Sequence, residues 1–227
     1  GQGLDVLIQT LQSMLDDLPQ RVNFHHPRLP IDRVFSVSGF GTVVTGTLSG
    51  GTLHVGDNIE LQPTGKVGRV RGLQSYKQEV ETALPGSRVA VNIAGLSKEH
   101  VQRGDVLTYP GQIHATVLVD VYFQHLSDVE RALKHNAEVK FFSGASESLG
   151  HVRLLNDEAI APNGAGWVQV RLKDALPLTR GDRFILRYPS PPQTIGGGVI
   201  VNPNPGKRWK RFQADVVHNL EMRLDGT

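Results

Sequence analysis

From Leu29 onward the chain is written in short runs where apolar and polar positions alternate, cut at intervals by glycine. Arg33-Val-Phe-Ser-Val-Ser38, Thr42-Val-Val-Thr-Gly-Thr-Leu48, Asn58-Ile-Glu-Leu61, Lys66-Val-Gly-Arg-Val-Arg71, Arg88-Val-Ala-Val-Asn-Ile93 and Val106-Leu107 are of this kind. A period of two with many β-branched residues predicts antiparallel strands. Gly39-Phe-Gly41, Ser49-Gly-Gly51, Gly56-Asp57 and Pro63-Thr-Gly65 separate the runs with residues that form turns. Gly39-Phe-Gly41 joins strand to strand and is read as a hairpin, not as a nucleotide loop opening a helix.

Pro110-Gly111 interrupts the series, and Ala115-Thr-Val-Leu-Val-Asp-Val-Tyr-Phe123 opens a second one, continued over residues 137–142, 150–155, 166–172, 183–187 and 194–201. Many short strands with little helical period predict closed barrels, which leave no free sheet edge. The expected fold class is all-β: two tandem antiparallel β-barrels with a short helix at each end. An internal echo agrees with duplication, since Gly-Asp precedes an apolar strand at Gly56-Asp57, Gly104-Asp105 and Gly181-Asp182. In the two that read Arg-Gly-Asp, a turn is the expectation and not a cell-adhesion signal.

Helical spacing is confined to the ends. Leu4, Leu7, Ile8, Leu11, Met14, Leu15 and Leu18 form one stripe closed by Pro19. A helix of about 12–15 residues is marginal without packing, so this one reads as the last helix of a preceding domain. After Pro203-Asn-Pro205 the chain turns basic and then helical, with Phe212, Val216, Val217 and Leu220 on one face and Leu224 at its edge. The expected division is therefore 1–24 for that terminal helix, 25–111 for the first barrel, 112–203 for the second, and 204–227 for a basic linker and the start of a further module.

Composition narrows the chemistry. Its 227 residues suit one large domain or two modest ones at roughly 150 residues per domain, and no apolar run is long enough to cross a bilayer. The absence of cysteine excludes disulfides, thiolate-held zinc and a cysteine nucleophile. The start, Gly-Gln-Gly-Leu, has neither an initiator methionine nor a secretory signal, as expected of a segment from a longer protein. A formal charge of only +2 conceals basic clusters at Lys207, Arg208, Lys210 and Arg211 and at Lys66, Arg69 and Arg71. No phosphate-binding Gly-Lys-Ser or Gly-Lys-Thr turn, nucleophile elbow or His-Glu-x-x-His pair occurs, so the chain itself is read as non-catalytic. His25-His26 would diverge on an extended backbone and are read as surface residues.

Residues Arg28-Leu-Pro-Ile-Asp-Arg-Val-Phe-Ser-Val-Ser-Gly-Phe-Gly-Thr-Val-Val-Thr-Gly-Thr-Leu48 resemble the start of the second domain of translation GTPases. The Ile-Asp-Arg opening is similar to the selenocysteine-specific elongation factor family, SelB. Further matches are Gly86-Ser-Arg-Val-Ala-Val-Asn-Ile-Ala-Gly95, Gln102-Arg-Gly-Asp-Val-Leu107, Gly181-Asp-Arg-Phe-Ile-Leu-Arg187 and Thr194-Ile-Gly-Gly-Gly-Val-Ile200. The resemblance implies a cytoplasmic, monomeric factor that binds selenocysteyl-tRNA and delivers it to the ribosome. GTP and magnesium are implied for the parent protein, with no cofactor in this segment. Asp32, Arg33 and Arg88 are implied to receive the aminoacyl end, and the second barrel to grip the tRNA stems. Lys207, Arg208, Lys210 and Arg211 resemble the junction to an arm that binds the selenocysteine insertion hairpin of mRNA. Two other readings stay open: a barrel module of a sulfate-activating GTPase, and an interaction scaffold without a pocket.

Charge gives the implied pocket a physical basis. A selenol is more acidic than a thiol, whose pKa is about 8.5, so selenocysteine is an anion at neutral pH while the serine that precedes it on the same tRNA is not. Two guanidiniums that stay charged at any working pH can read that difference. At 4 Å such a pair gains about 4 kcal/mol at an effective dielectric of about 20, before desolvation is subtracted. Asp32 would accept from the α-amino group or brace Arg33.

Overall fold

The computed structural model describes residues 3–16, 23–37, 39 and 41–226. Helix α1 (Leu4–Asp16) precedes β1 (Arg28–Val37), β2 (Gly41–Thr47), β3 (Leu53–His54), β4 (Asn58–Gln62), β5 (Lys66–Ser75), β6 (Gln78–Val80), β7 (Thr82–Ala83), β8 (Arg88–Ala94) and β9 (Val106–Thr108). There follow β10 (Thr116–His125), β11 (Leu133–Lys134), β12 (Glu138–Ser143), β13 (Ser146–Leu154), β14 (Ala159–Ile160), β15 (Ala165–Leu176), β16 (Arg183–Tyr188) and β17 (Gln193–Asn202), then α2 (Ala214–Asp225).

The strands alternate as their sequence requires. In β8, Val89, Val91 and Ile93 are buried while Arg88 and Ala94 are exposed. Such half-buried strands close into two antiparallel barrels, so the all-β tandem-barrel expectation holds. The first runs β4-β9-β1-β2-β8-β5 and closes through the β4–β5 pair, with β6 folded back on β5. The second runs β10-β15-β13-β12-β16-β17 and is closed. Leu29, Ile31, Ile59, Leu61 and Leu107 fill one core; Phe123, Phe141, Phe184 and Leu186 fill the other, with Phe141 stacked on Phe184 at 5.2 Å.

The two barrels share one cyclic order. Starting from β2 the first reads β2-β8-β5-β4-β9-β1; starting from β10 the second reads β10-β15-β13-β12-β16-β17. The place held by the first strand of one barrel is thus held by the last strand of the other. Two-stranded ladders, β3–β7 and β11–β14, occupy corresponding positions in chain order and put buried Leu53, Ala83, Leu133 and Ile160 into the cores. Nothing in the sequence pattern foretold these ladders, because two residues carry no periodicity.

The Gly-Asp echo has a common geometry. Gly56, Gly104 and Gly181 all have positive φ, and each following aspartate accepts the backbone N–H three residues back: Asp57 from His54 at 2.7 Å, Asp105 from Gln102 at 2.9 Å, Asp182 from Thr179 at 2.9 Å. The carboxylate closes a turn that launches a strand.

The ends differ from each other. In α1 the residues Leu4, Leu7, Ile8, Leu11, Met14 and Leu15 are all exposed, while Leu18 and Pro19 lie outside the described residues. In α2, by contrast, Val216 and Leu220 pack on Leu155, Trp167 and Val201 of the second barrel, with Val217 and Leu224 at the margin. The expected stripe is corrected at Phe212. That residue precedes the helix, has φ +58°, is 56% exposed, and lies under the Arg211 guanidinium at 4.5 Å.

Candidate functional site

The first barrel brings Asp32, Arg33 and Arg88 to one patch of its outer surface. Register slips on β1 between Ile31, opposite Gly46, and Arg33, opposite Thr45, leaving Asp32 as an extra residue. Such a bulge re-aims the side chains next to it. Gly46 lets β2 lie close against β1 beside the bulge, since a Cβ there would stand 2.2 Å from the Pro30 carbonyl oxygen.

Arg88 reaches across from the start of β8 and donates from both terminal nitrogens to the Asp32 carboxylate, at 2.5 and 2.9 Å, while the Thr45 hydroxyl donates to the same carboxylate at 2.8 Å. Hydrogen bonding from Arg88 holds Asp32 below the usual carboxylate range, and the nearby charge of Arg33 lowers it further. Asp32 in turn raises Arg88. The pair is wet, with side chains 53% and 32% exposed, so its worth to stability is about 0–1 kcal/mol. The carboxylate therefore braces Arg88 and not Arg33. Arg33 is exposed and, among the described residues, has no ion pair.

The basic segment after the second barrel has a structural part that sequence did not reveal. It crosses the barrel's outer face as a strap. Buried Asp120 accepts from Gln169 Nε2 at 2.8 Å, Asn202 Nδ2 at 3.0 Å and Trp209 Nε1 at 2.9 Å. Gln169 also donates to the Lys207 carbonyl and accepts from the Trp209 N–H, and Arg153 Nε donates to the Trp209 carbonyl. Arg211 is only 19% exposed and donates to the carbonyls of Leu154 and Asp157 and to Glu158. Lys207 lies over the Trp209 ring at 5.1 Å. Of the four basic residues expected to meet RNA, Arg211 is thus committed to holding the strap, whereas Lys207, Arg208 and Lys210 remain exposed.

A cavity of about 900 Å³ opens beside the strap, lined by His151, Arg153, Arg171, Lys173 and Arg208 among others. Sequence reading missed it because His151, Arg153, Arg171 and Lys173 are ordinary outward positions of β13 and β15, brought together only by barrel closure, with Arg208 added from the strap. Among the described residues no three His, Cys, Asp or Glu side chains form a metal-binding group, and no helix is long and apolar enough to cross a membrane.

Comparisons with known proteins follow the two-barrel division. Residues 41–108 match the model of elongation factor Tu domain 2, and residues 120–207 match that of the selenocysteine-specific elongation factor β-barrel domain. The selenocysteine-specific elongation factor of Desulfomicrobium baculatum is 41% identical over 189 residues, covering 83% of this chain and 30% of that protein. The Escherichia coli factor of the same name is 35% identical over 216 residues, covering 93% of this chain and 32% of its own length. The chain thus spans about a third of these relatives. A crystal structure of bacterial selenocysteine-specific elongation factor EF-Sec superposes with a TM-score of 0.79 at 26% identity, over 99% of this chain and 36% of that one. Matched along both barrels in sequence and in fold, the chain belongs to the selenocysteine-specific elongation factor family, of which it carries the β-barrel pair.

Proposed function

We propose that this barrel pair serves a GTP-dependent elongation factor that binds selenocysteyl-tRNA and delivers it to the ribosome at recoded stop codons, with Asp32, Arg33 and Arg88 receiving the selenocysteyl group. The observation that carries the reading is the convergence of Asp32 and Arg33 from β1 and Arg88 from β8 on one wet patch. The patch has a net charge of +1 and is divided in sign. A selenolate suits the guanidinium side, and the α-amino group suits the carboxylate. Serine offers no anion, so the guanidinium side gains nothing from it.

The ligand would meet Arg33 as a guanidinium without a carboxylate partner and Arg88 as one already oriented by Asp32. Prior orientation lowers the entropy lost on binding. GTP and magnesium belong to the parent protein in this reading, as do the ribosome and the mRNA hairpin among its partners, and the chain itself performs no chemistry.

The test compares binding of selenocysteyl-tRNA and seryl-tRNA to the full-length protein with GTP, for wild type, Arg33→Ala and Arg88→Ala. Each substitution is expected to weaken selenocysteyl-tRNA binding by about tenfold or more, equivalent to about 1.4 kcal/mol, and to leave seryl-tRNA binding little changed. Discrimination equal to wild type in both variants would remove these residues from the site.

A further inference from the structure

We propose that the turn over residues 177–182 couples the seating of α2 to the tie between the barrels, so that displacing the helix loosens the first barrel from the second. One side of this turn meets the first barrel. Arg28, at the start of β1, donates to the Pro177 carbonyl, the Thr179 hydroxyl and the Asp182 carboxylate. All three acceptors belong to the one turn, so Arg28 grips it as a unit, and a change in the turn's shape misplaces all three together.

The other side meets α2. Arg180 donates to the Arg223 carbonyl in the last turn of the helix, and its guanidinium lies 3.6 Å from the point that a Cβ on Gly226 would occupy. The last carbonyls of a helix have no partner within it, and that end carries partial negative charge. A guanidinium supplied from the barrel answers both needs, so the end of α2 is seated on the turn.

The turn has little freedom to absorb a pull from either side. Gly181 N–H donates to the Ile200 carbonyl and Ile200 N–H to the Asp182 carbonyl, both at 2.8 Å, which binds the turn to β17. Val201, the next residue, packs with Val216 and Leu220 of α2. Asp182 divides its carboxylate: Oδ2 accepts the Thr179 N–H that closes the turn, and Oδ1 accepts from Arg28. The oxygen that Arg28 holds is thus placed by the bond that shapes the turn. Contiguous hydrogen-bonded elements of this kind carry energetic coupling between sites. The latch supplies two states, closed on Arg28 or open, and linkage makes the effect reciprocal: opening the latch loosens α2 by the factor with which lifting α2 opens the latch. None of these contacts involves Asp32, Arg33 or Arg88, so the coupling stands whether or not that patch receives a selenocysteyl group.

Spin-label distances in the 227-residue chain test the proposal, and since it has no cysteine, labels go only where cysteines are introduced. Lys98→Cys with Lys134→Cys spans the barrels, and Lys134→Cys with Met222→Cys spans the second barrel and α2; all three positions are exposed. Arg180→Ala is expected to broaden the inter-barrel distances, although among the described residues Arg180 makes no hydrogen bond or ion pair with the first barrel. The open population should rise about two- to thirtyfold, the range of coupling through such networks. Leu220→Asp, which lifts α2 from its apolar seat without touching the turn, should do the same. Arg28→Ala should in turn broaden the α2 distances, and Arg180→Lys, which keeps a donor, should stay near wild type. Lys173→Ala removes a cation elsewhere on the second barrel and should change neither distribution. Wild-type inter-barrel distances in both Arg180→Ala and Leu220→Asp would overturn the proposal, as would equal broadening in Lys173→Ala.

Discussion

Gly196, Gly197 and Gly198 lie in β17 where it is pressed between β10 and β16. A Cβ on Gly198 would stand 1.9 Å from the Tyr122 carbonyl oxygen, on Gly197 2.4 Å from that of Phe184, and on Gly196 2.2 Å from that of Gln124. All three obstacles are backbone in the ladders that close the barrel, so no side chain can turn aside to make room. The triple-glycine run thus has a packing explanation that needs no ligand. Gly198→Ala is expected to cost about 3 kcal/mol, the upper end for overpacking, and thermal or urea unfolding would measure it. A loss below about 0.5 kcal/mol, the level of a neutral surface change, would mean that β17 can shift outward, contrary to the tight fit seen here.

At the level of the element, the strap over the second barrel turns on Asp120. Its two oxygens accept from three donors, and Gln169 cannot flip without losing its bonds to Lys207 and Trp209. Asp120→Asn points an N–H₂ at one of those donors. Leaving a buried donor unsatisfied costs about 1–3 kcal/mol, so the variant should melt earlier, with Trp209 fluorescence shifting toward the solvent-exposed range as the strap lifts. Burial raises the Asp120 pKa above 3.8 despite the donors. An acid whose native pKa exceeds its unfolded value stabilises the fold most at low pH, and that contribution declines as pH rises from 3.8 through the native value. A pH series of melting temperatures should show this decline in wild type and a smaller one in Asp120→Asn, since burial raises Asp105 and Asp157 as well. The same element marks where sequence reading stops. Strands such as β8 were legible because alternation and burial coincide there. Asp120 sits inside an apolar strand run, and nothing local says that it will be covered by Trp209, 89 residues away. Spacing alone places Phe212 on the helix, whereas its positive φ sets it before the helix begins at Ala214. The grouping of Asp32 with Arg88 was legible only through family resemblance, since the two are 56 residues apart and the bulge that turns Asp32 toward Arg88 leaves no periodic trace.

At the scale of the molecule, one residue does much to fix the relation of the two barrels. Arg28, at the start of β1, donates to Asp182 at 2.5 Å, to the Thr179 hydroxyl at 2.8 Å and to the Pro177 carbonyl at 2.9 Å, all in the second barrel. Asp182 is also the carboxylate that closes the turn into β16, so the latch is anchored to that barrel's own framework. A further tie, from the Ser146 hydroxyl to the Gly104 carbonyl, joins a second pair of turns. With side chains 15% and 19% exposed, the Arg28–Asp182 pair is largely shielded from water. Removing Arg28 leaves Asp182 and the Pro177 carbonyl without their partner, and hydrogen bonds to charged groups contribute about 1.5–3 kcal/mol each. Because the loss falls between barrels and not inside either core, Arg28→Ala should leave both barrels folded and weaken their coupling by about 2–3 kcal/mol. Calorimetry is then expected to resolve two transitions in Arg28→Ala and one in wild type, and small-angle scattering should report a broader distribution of sizes for the variant. A single transition at the wild-type midpoint would mean that the Ser146–Gly104 tie and the surrounding packing suffice without the latch.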